Sequence, residues 1–333
     1  MKRLLVIGHT LPEPSTTAAG GRMMQLLSLF SEEGYRITFA TTAKASERSA
    51  DLAKQNIIVV SIELNSESFD TFISEIKPSA VLFDRYITEE QFGWRVLEHC
   101  SEAIRILDTE DLHFLRKARE EAIKNNSPVS EANLYTEISK RELASILRCD
   151  LSLIISEFEF DLLKTTFRIS QEILHYLPFL TQKRSKIGKN HLKFDERTHF
   201  LTIGNLQHTP NIDAVIYLKE VIWPLIRKQL PEVKLNVYGD YGSQHIQKLH
   251  NEKEGFIVKG WVKDANHVLQ ESRLCLAPLR FGAGLKGKLL DAMLNGTPSI
   301  TTTIGAEGMH GTLSFSGKVL DDPFEFANAA VEL

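Results

Sequence analysis

Leu279-Arg-Phe-Gly-Ala-Gly-Leu-Lys-Gly-Lys-Leu-Leu-Asp-Ala-Met-Leu-Asn-Gly296 follows an apolar run, Leu274-Cys-Leu-Ala277, and leads into a helical pattern. The run reads as a strand. Lys288 to Leu294 reads as a helix. Residues 282–288 therefore place three glycines and two lysines at a strand-to-helix turn. Backbone N–H groups are unpaired at a helix start, and the helix dipole favours negative charge there. Glycine lets a ligand approach the backbone closely. Such a turn is suited to a phosphate or diphosphate.

The same alternation runs through the chain. Leu4 to Gly8, Arg36 to Thr41, Ile57 to Ile62, Ala80 to Asp84, Ile104 to Asp108, Leu151 to Ser156 and Ile173 to Leu177 read as strands with helical segments between them. Gly20 to Phe30 carries Met23, Leu27 and Phe30 on one helical face. His199 to Gly204, Val233 to Gly239, Phe256 to Gly260 and Ser299 to Thr303 form a second series, with helices at Asn211 to Gln229, distorted at Pro224, and at Phe324 to Val331. Strands alternating with helices predict parallel α/β sheets. The expected organisation is a Rossmann-like domain over 1–180, a linker over 181–197 and a second Rossmann-like domain over 198–333, the two facing a cleft. Lys183, Arg184, Lys186, Lys189 and Lys193 make the linker basic, which reads as a solvated loop.

Composition narrows the classes. The chain has 333 residues, 43% hydrophobic and 25% charged, enough for two folded domains. A net charge of −4 gives no general attraction to nucleic acid or anionic lipid. Cys100, Cys149 and Cys275 lie far apart without metal spacing, as expected of reduced, buried thiols in a cytoplasmic protein. No apolar run approaches the ~18 residues that span a membrane, and the N-terminal run is too short for a secretory signal.

The glycine turn admits three readings. Gly282 to Lys288 has the G-x4-G-K spacing of a P-loop, but Leu289 stands where a hydroxyl should meet magnesium. Gly282, Gly284 and Gly287 also fit a dinucleotide fingerprint, with Glu307 20 residues on, yet the motif lies late in its domain. The third reading is a nucleotide-sugar loop. Pro278 to Gly308 resembles the donor-binding region of GT-B glycosyltransferases, more narrowly the retaining group 1 or family 4 type. Ala19-Gly-Gly-Arg-Met-Met24, Gly204-Asn-Leu-Gln-His-Thr-Pro-Asn211, Val237-Tyr-Gly239 and Lys259-Gly-Trp-Val-Lys-Asp264 resemble further landmarks of that family.

The resemblance implies a retaining transfer of sugar from a nucleotide-diphosphate sugar to a glycan or lipid-linked acceptor. It implies no metal and no other cofactor, and leaves peripheral contact with the inner face of a membrane open. Gly284, Leu285, Lys286, Gly287 and Lys288 would meet the diphosphate. Gly20 and Gly21 would bring a helix start to it across the cleft. Asn205 and Arg280 would join the donor site, although a surface cation is an equal reading for Arg280. Asp291 takes the place of the second of two family glutamates and would accept from a ribose hydroxyl. Ala283 stands where the first would be, which puts contacts to the donor sugar in doubt. Glu307 would lie near that sugar. Asp108 occupies a position where many relatives carry histidine; with His113 it would belong to the reaction centre, alongside Asp111. The plain alternatives are solvated lysines at the helix start, a helix cap at Asn211, and an aspartate capping the helix after Asp108. The absent glutamate, and an apparent lack of the family's final helices before Leu333, also suit a non-catalytic nucleotide-sugar-binding protein. An NAD-dependent oxidoreductase is the remaining alternative.

Overall fold

The computed structural model describes residues 2–181, 192–311 and 313–333. Lys183, Arg184, Lys186 and Lys189 of the basic linker lie outside them. The chain forms two compact units. The first comprises Met1–Pro14, Ala19–Ala118 and Ala132–Leu180; the second comprises Ser15–Ala18, Arg119–Glu131 and Thr181–Leu333.

In the first unit the strands are β1 (Arg3–Gly8), β2 (Arg36–Thr41), β3 (Ile58–Ser61), β4 (Ala80–Asp84), β5 (Ile104–Asp108), β6 (Leu151–Ile154) and β7 (Leu174–Tyr176). The helices are α1 (Ala18–Glu32), α2 (Glu67–Ile76), α3 (Arg85–His99), α5 (Glu137–Arg148) and α6 (Glu157–Thr165), together with the first half of α4 (His113–Lys124), whose residues from Arg119 on belong to the second unit. All neighbouring strands pair in parallel, in the order β3-β2-β1-β4-β5-β6-β7. Helices cover both faces of such a sheet, so its central strands need apolar residues at successive positions. β4 is buried along its whole length. Leu4, Val6, Phe39 and Leu82 build the core on which Leu26 and Leu27 of α1 pack.

The second unit repeats this plan. Its strands are β8 (Phe200–Ile203), β9 (Leu235–Tyr238), β10 (Phe256–Gly260), β11 (Leu274–Ala277), β12 (Ser299–Thr301) and β13 (Gly317–Val319), in the parallel order β10-β9-β8-β11-β12-β13. Its helices are α7 (Thr209–Tyr217), α8 (Trp223–Gln229), α9 (Gln244–Gln247), α10 (Ala265–Glu271), α11 (Gly287–Leu294), α12 (Thr303–Ala306) and α13 (Pro323–Glu332). Phe200, Val237, Leu276, Ile300, Trp223 and Phe326 share its core.

Two details depart from the sequence expectation. The long helix is distorted one turn before Pro224, where Leu218–Ile222 forms a π turn. Proline has no N–H to donate and its ring crowds the preceding turn, so a wider turn absorbs the mismatch. The strand β13 carries no hydrophobic pattern: its three residues are all exposed at the sheet edge, which is why the sequence did not reveal it. Cys149 and Cys275 are buried as expected, whereas Cys100 is half-buried; all three are free.

Each unit has the strand order of a dinucleotide-type sheet, 3-2-1-4-5-6. In such sheets ligands bind beyond the carboxyl ends of the strands, at the point where the order reverses. That point lies between β1 and β4 in the first unit and between β8 and β11 in the second.

Candidate functional site

The glycine turn follows β11, at the reversal point of the second sheet. Gly282 and Gly284 have φ of 152° and 62°, backbone that favours glycine. Among the described residues the N–H groups of Ala283, Leu285, Gly287 and Lys288 have no hydrogen-bond partner. Leu289 and Leu290 donate back to the Lys286 carbonyl and close the first turn of α11. Four donors thus remain available over residues 283–288, at the positive end of a helix dipole.

Neither lysine is a solvated helix-start residue. Lys286 is 8% exposed, and its Nζ donates to the Gly284 carbonyl at 2.6 Å. Lys288 Nζ donates to Asn211 Oδ1 at 2.8 Å. Burial, with the positive charge of Lys286 as a smaller contribution, lowers the Lys288 amine to about 8. Asn211 does not cap a helix: His208 is the N-cap of α7, and Asn211 lies inside it, donating to the Asn205 carbonyl at 2.9 Å. Asn205 in turn accepts from the Gln207 N–H. A Cβ on Gly204 would stand 2.8 Å from Asn211 Nδ2 and 2.9 Å from Lys288 Nζ. Glycine at that position lets the Asn211–Lys288 pair sit against the end of β8.

The remaining predicted donor residues are arranged differently. Arg280 is paired through two nitrogens with Asp213 of α7 and stacks over Tyr217, its centroid 4.9 Å away. Its cation is therefore already neutralised locally. Asp291 is exposed on α11. Ala283 is 8% exposed and offers only its backbone. Glu307, which ends α12, accepts two hydrogen bonds of 2.8 Å from Arg119. Arg119 also donates to the Gly282 carbonyl at 2.8 Å. Sequence reading missed Arg119, because it sits in an ordinary charged helical pattern 163 residues from the carbonyl that it binds.

The carboxyl edge of the first sheet is built from side-chain charges. Asp84 and Asp108 end β4 and β5 in register. Asp108 is fully buried and bonds to Arg22, with contacts of 2.9–3.2 Å. Arg22 also donates to the Leu177 carbonyl at 2.7 Å. Burial raises the Asp108 carboxyl above its ordinary range, and Arg22 opposes that rise. Asp108 therefore caps no helix. The start of α4 is held instead by Glu142 of α5, which accepts from the N–H groups of His113 and Phe114 at 3.1 and 2.9 Å. Asp111 pairs with Arg116 at 2.6 Å, and the His113 ring packs edge-on against Tyr86. Arg85 and Glu110, just past β4 and β5, have left-handed φ of 71° and 63°, an uncommon conformation for such residues. Burial first, then the Asp108 charge, pushes the Glu110 carboxyl well up.

Gly20 and Gly21 separate under this view. A Cβ on Gly20 would lie 2.5 Å from the Glu13 backbone, so packing alone requires glycine there. A Cβ on Gly21 would meet no protein atom within 4 Å. Among the described residues no group of three or more His, Cys, Asp or Glu could hold a metal ion, and no helix is long and apolar enough to cross a membrane.

Comparison with known proteins bears on the fold and on the family of the second half of the chain. Residues 197–333 match the family model described as "Glycosyl transferases group 1". The match lies within the second unit. A search of solved structures places the whole chain on the same GT-B fold. A variant of TarM from S. aureus, in complex with fondaparinux, α-GlcNAc-glycerol and UDP, superposes with a TM-score of 0.73 at 11% identity, covering 100% of this chain and 92% of that one. Anabaena HepE in complex with UDP and glucose gives 0.67 at 10% identity, covering 100% and 89%. WaaG, a glycosyltransferase involved in lipopolysaccharide biosynthesis, gives 0.65 at 11% identity, covering 99% and 90%. Among curated proteins, an uncharacterised 44.6 kDa protein in the cps region of Klebsiella pneumoniae is 29% identical over 124 residues, which is 35% of this chain and 32% of that protein's length. The turn after β11, where backbone donors and a helix start coincide, lies inside the matched segment.

Proposed function

We propose that the protein is a retaining glycosyltransferase that moves a sugar from a nucleotide-diphosphate donor to a glycan or lipid-linked acceptor. The observation that carries this reading is the set of four unpaired N–H groups at 283–288, within the segment that matches the group 1 glycosyl transferase family. The neighbours solved with UDP support the donor class. When the sugar leaves, negative charge grows on the departing diphosphate. Fixed donors stabilise that charge without having to reorganise, which lowers the barrier more than it tightens ground-state binding. Lys288, whose amine burial lowers to about 8, is held in its charged form by the incoming anion and sets a positive charge beside it. Asp291 offers a ribose hydroxyl an acceptor. Asp108, His113 and Glu307 keep the roles of reaction-centre groups, each oriented by a neighbour: Arg22, Asp111 and Arg119. The reaction proceeds without a metal ion, since N–H groups and lysine take the place of a divalent cation at the diphosphate.

The test is calorimetric titration with UDP-, GDP- and ADP-sugars, followed by assay of donor hydrolysis and transfer in excess chelator. Binding of one nucleotide class, and turnover that survives chelation, are expected. Binding of none of the three sinks the reading. Tight binding without turnover on any acceptor would instead leave a nucleotide-sugar-binding protein, the alternative that Ala283 suggests.

A further inference from the structure

Free donors at a glycine-rich turn bind an anion only if they point together. Glycine peptides rotate easily, so something must hold these planes. The peptide unit is planar and trans, and its C=O and N–H point in opposite directions. A carbonyl held by a cation therefore fixes the direction of the N–H that follows it. Two carbonyls of this turn are held in this way. Arg119 Nη1 binds the Gly282 carbonyl at 2.8 Å, which turns the Ala283 N–H away from Arg119. Lys286 Nζ binds the Gly284 carbonyl at 2.6 Å, which turns the Leu285 N–H away from Lys286. Both of these N–H groups are among the four without a partner.

The two clamps differ in rigidity. The lysine clamp is local, spanning two residues on a flexible stem. Arg119 is 6% exposed and is itself fixed by Glu307, whose two oxygens accept 2.8 Å bonds from its two terminal nitrogens. A planar guanidinium with one face of its fork on a carboxylate keeps its remaining donors in a set direction. Its charge is neutralised by Glu307, so it is poorly placed to serve as the diphosphate's counter-ion.

We infer that Arg119 is a positioning residue that aims the glycine turn at the diphosphate of the donor, and that Glu307 acts at least partly by holding Arg119. The inference rests on the donor reading above. Arg119 does not touch the ligand. It orients the Gly282–Ala283 peptide, which does.

Three proteins, wild type, Arg119→Ala and Arg119→Lys, are titrated with the nucleoside diphosphate that the wild type binds. If the wild type binds none, the donor reading fails and not the role of Arg119. The aimed N–H contacts a charged group, so its loss should weaken binding by about tenfold or more. Free guanidinium ion at millimolar concentration should restore part of the affinity of Arg119→Ala, by entering the vacated place between Glu307 and Gly282. It should not restore Lys286→Met, whose missing group is elsewhere. A general loss of fold would not respond in this selective way. Arg119→Lys keeps the charge and a single donor nitrogen but not the fork, and should fall between the other two; it also serves if Arg119→Ala does not fold. Affinity within twofold of wild type in either folded variant overturns the inference. So does a weakened Arg119→Ala that guanidinium leaves unchanged while Arg119→Lys binds as weakly as the alanine variant.

Discussion

The carboxyl edges of the two sheets have the same strand order and opposite chemistry. In the first unit the edge is filled by side-chain charges that satisfy one another: Asp108 with Arg22, Asp111 with Arg116, and Glu142 on the start of α4. In the second unit the charged side chains turn toward the backbone or toward neighbours. Arg119 and Lys286 hold carbonyls, Lys288 holds Asn211, and the main-chain donors are left over. A diphosphate is a compact anion that only accepts hydrogen bonds, which fixed N–H groups suit well. Hydroxyl groups both donate and accept, and are better met by side chains of mixed charge. On the proposed function, one topology would serve two kinds of recognition, and the difference lies in whether side chains or main chain carry the hydrogen bonds at the edge.

The largest effect should come from the first edge. Arg22→Met would leave the buried Asp108 carboxylate unpaired, at a cost of about 3–5 kcal/mol, read as a fall in denaturant midpoint. The double variant Arg22→Met, Asp108→Leu should recover much of that loss, because replacing both partners removes the buried charge. Failure of the double variant to recover any stability would show that the pair is not what holds this edge together.

A smaller effect separates the two glycines of α1. Gly20→Ala forces the helix start away from the Glu13 backbone and should destabilise by about 1–3 kcal/mol. Gly21→Ala enters open space and should be neutral or stabilising by up to ~1 kcal/mol, because alanine favours helix over glycine. If Gly21→Ala nonetheless lowers turnover with unchanged stability, a ligand uses that space. Equal destabilisation by both changes would contradict the distinction.

The smallest effect is a proton count. The Lys288 amine is lowered to about 8 from 10.5. Between these values the unfolded chain binds more protons than the folded one, so the contribution of Lys288 makes stability rise with pH through that window. An anionic ligand placed against it reverses the shift. Nucleoside diphosphate binding at pH 9 should therefore take up protons, seen as a dependence of calorimetric enthalpy on the buffer's ionisation heat. Lys288→Met should abolish the uptake, and uptake that persists in that variant would assign it elsewhere.

Much of this architecture was legible in the sequence, and the limit has a physical cause. β4 and β11 occupy the bounds that their apolar runs predict, because strands buried on both faces need apolar residues in succession; β5 and β10 match their expected bounds too, although only part of each is buried. The glycine turn was legible because glycine, lysine and a helix start lie together in the chain. β13 was not, since its exposed residues carry no pattern. Arg119, Arg22 and the Asn211–Lys288 pair were not either. Their partners lie 163, 86 and 77 residues away, and only the folded chain brings them together.

Hydrogen exchange at the amides of the glycine turn tests the central claim most directly. Ala283, Leu285, Gly287 and Lys288 have unpaired N–H groups without ligand. Saturating nucleoside diphosphate should slow exchange at these four amides, while Leu289 and Leu290, already bonded to the Lys286 carbonyl, should change less. Protection confined to other segments, with these four amides exchanging as before while the nucleotide is bound, would contradict the account.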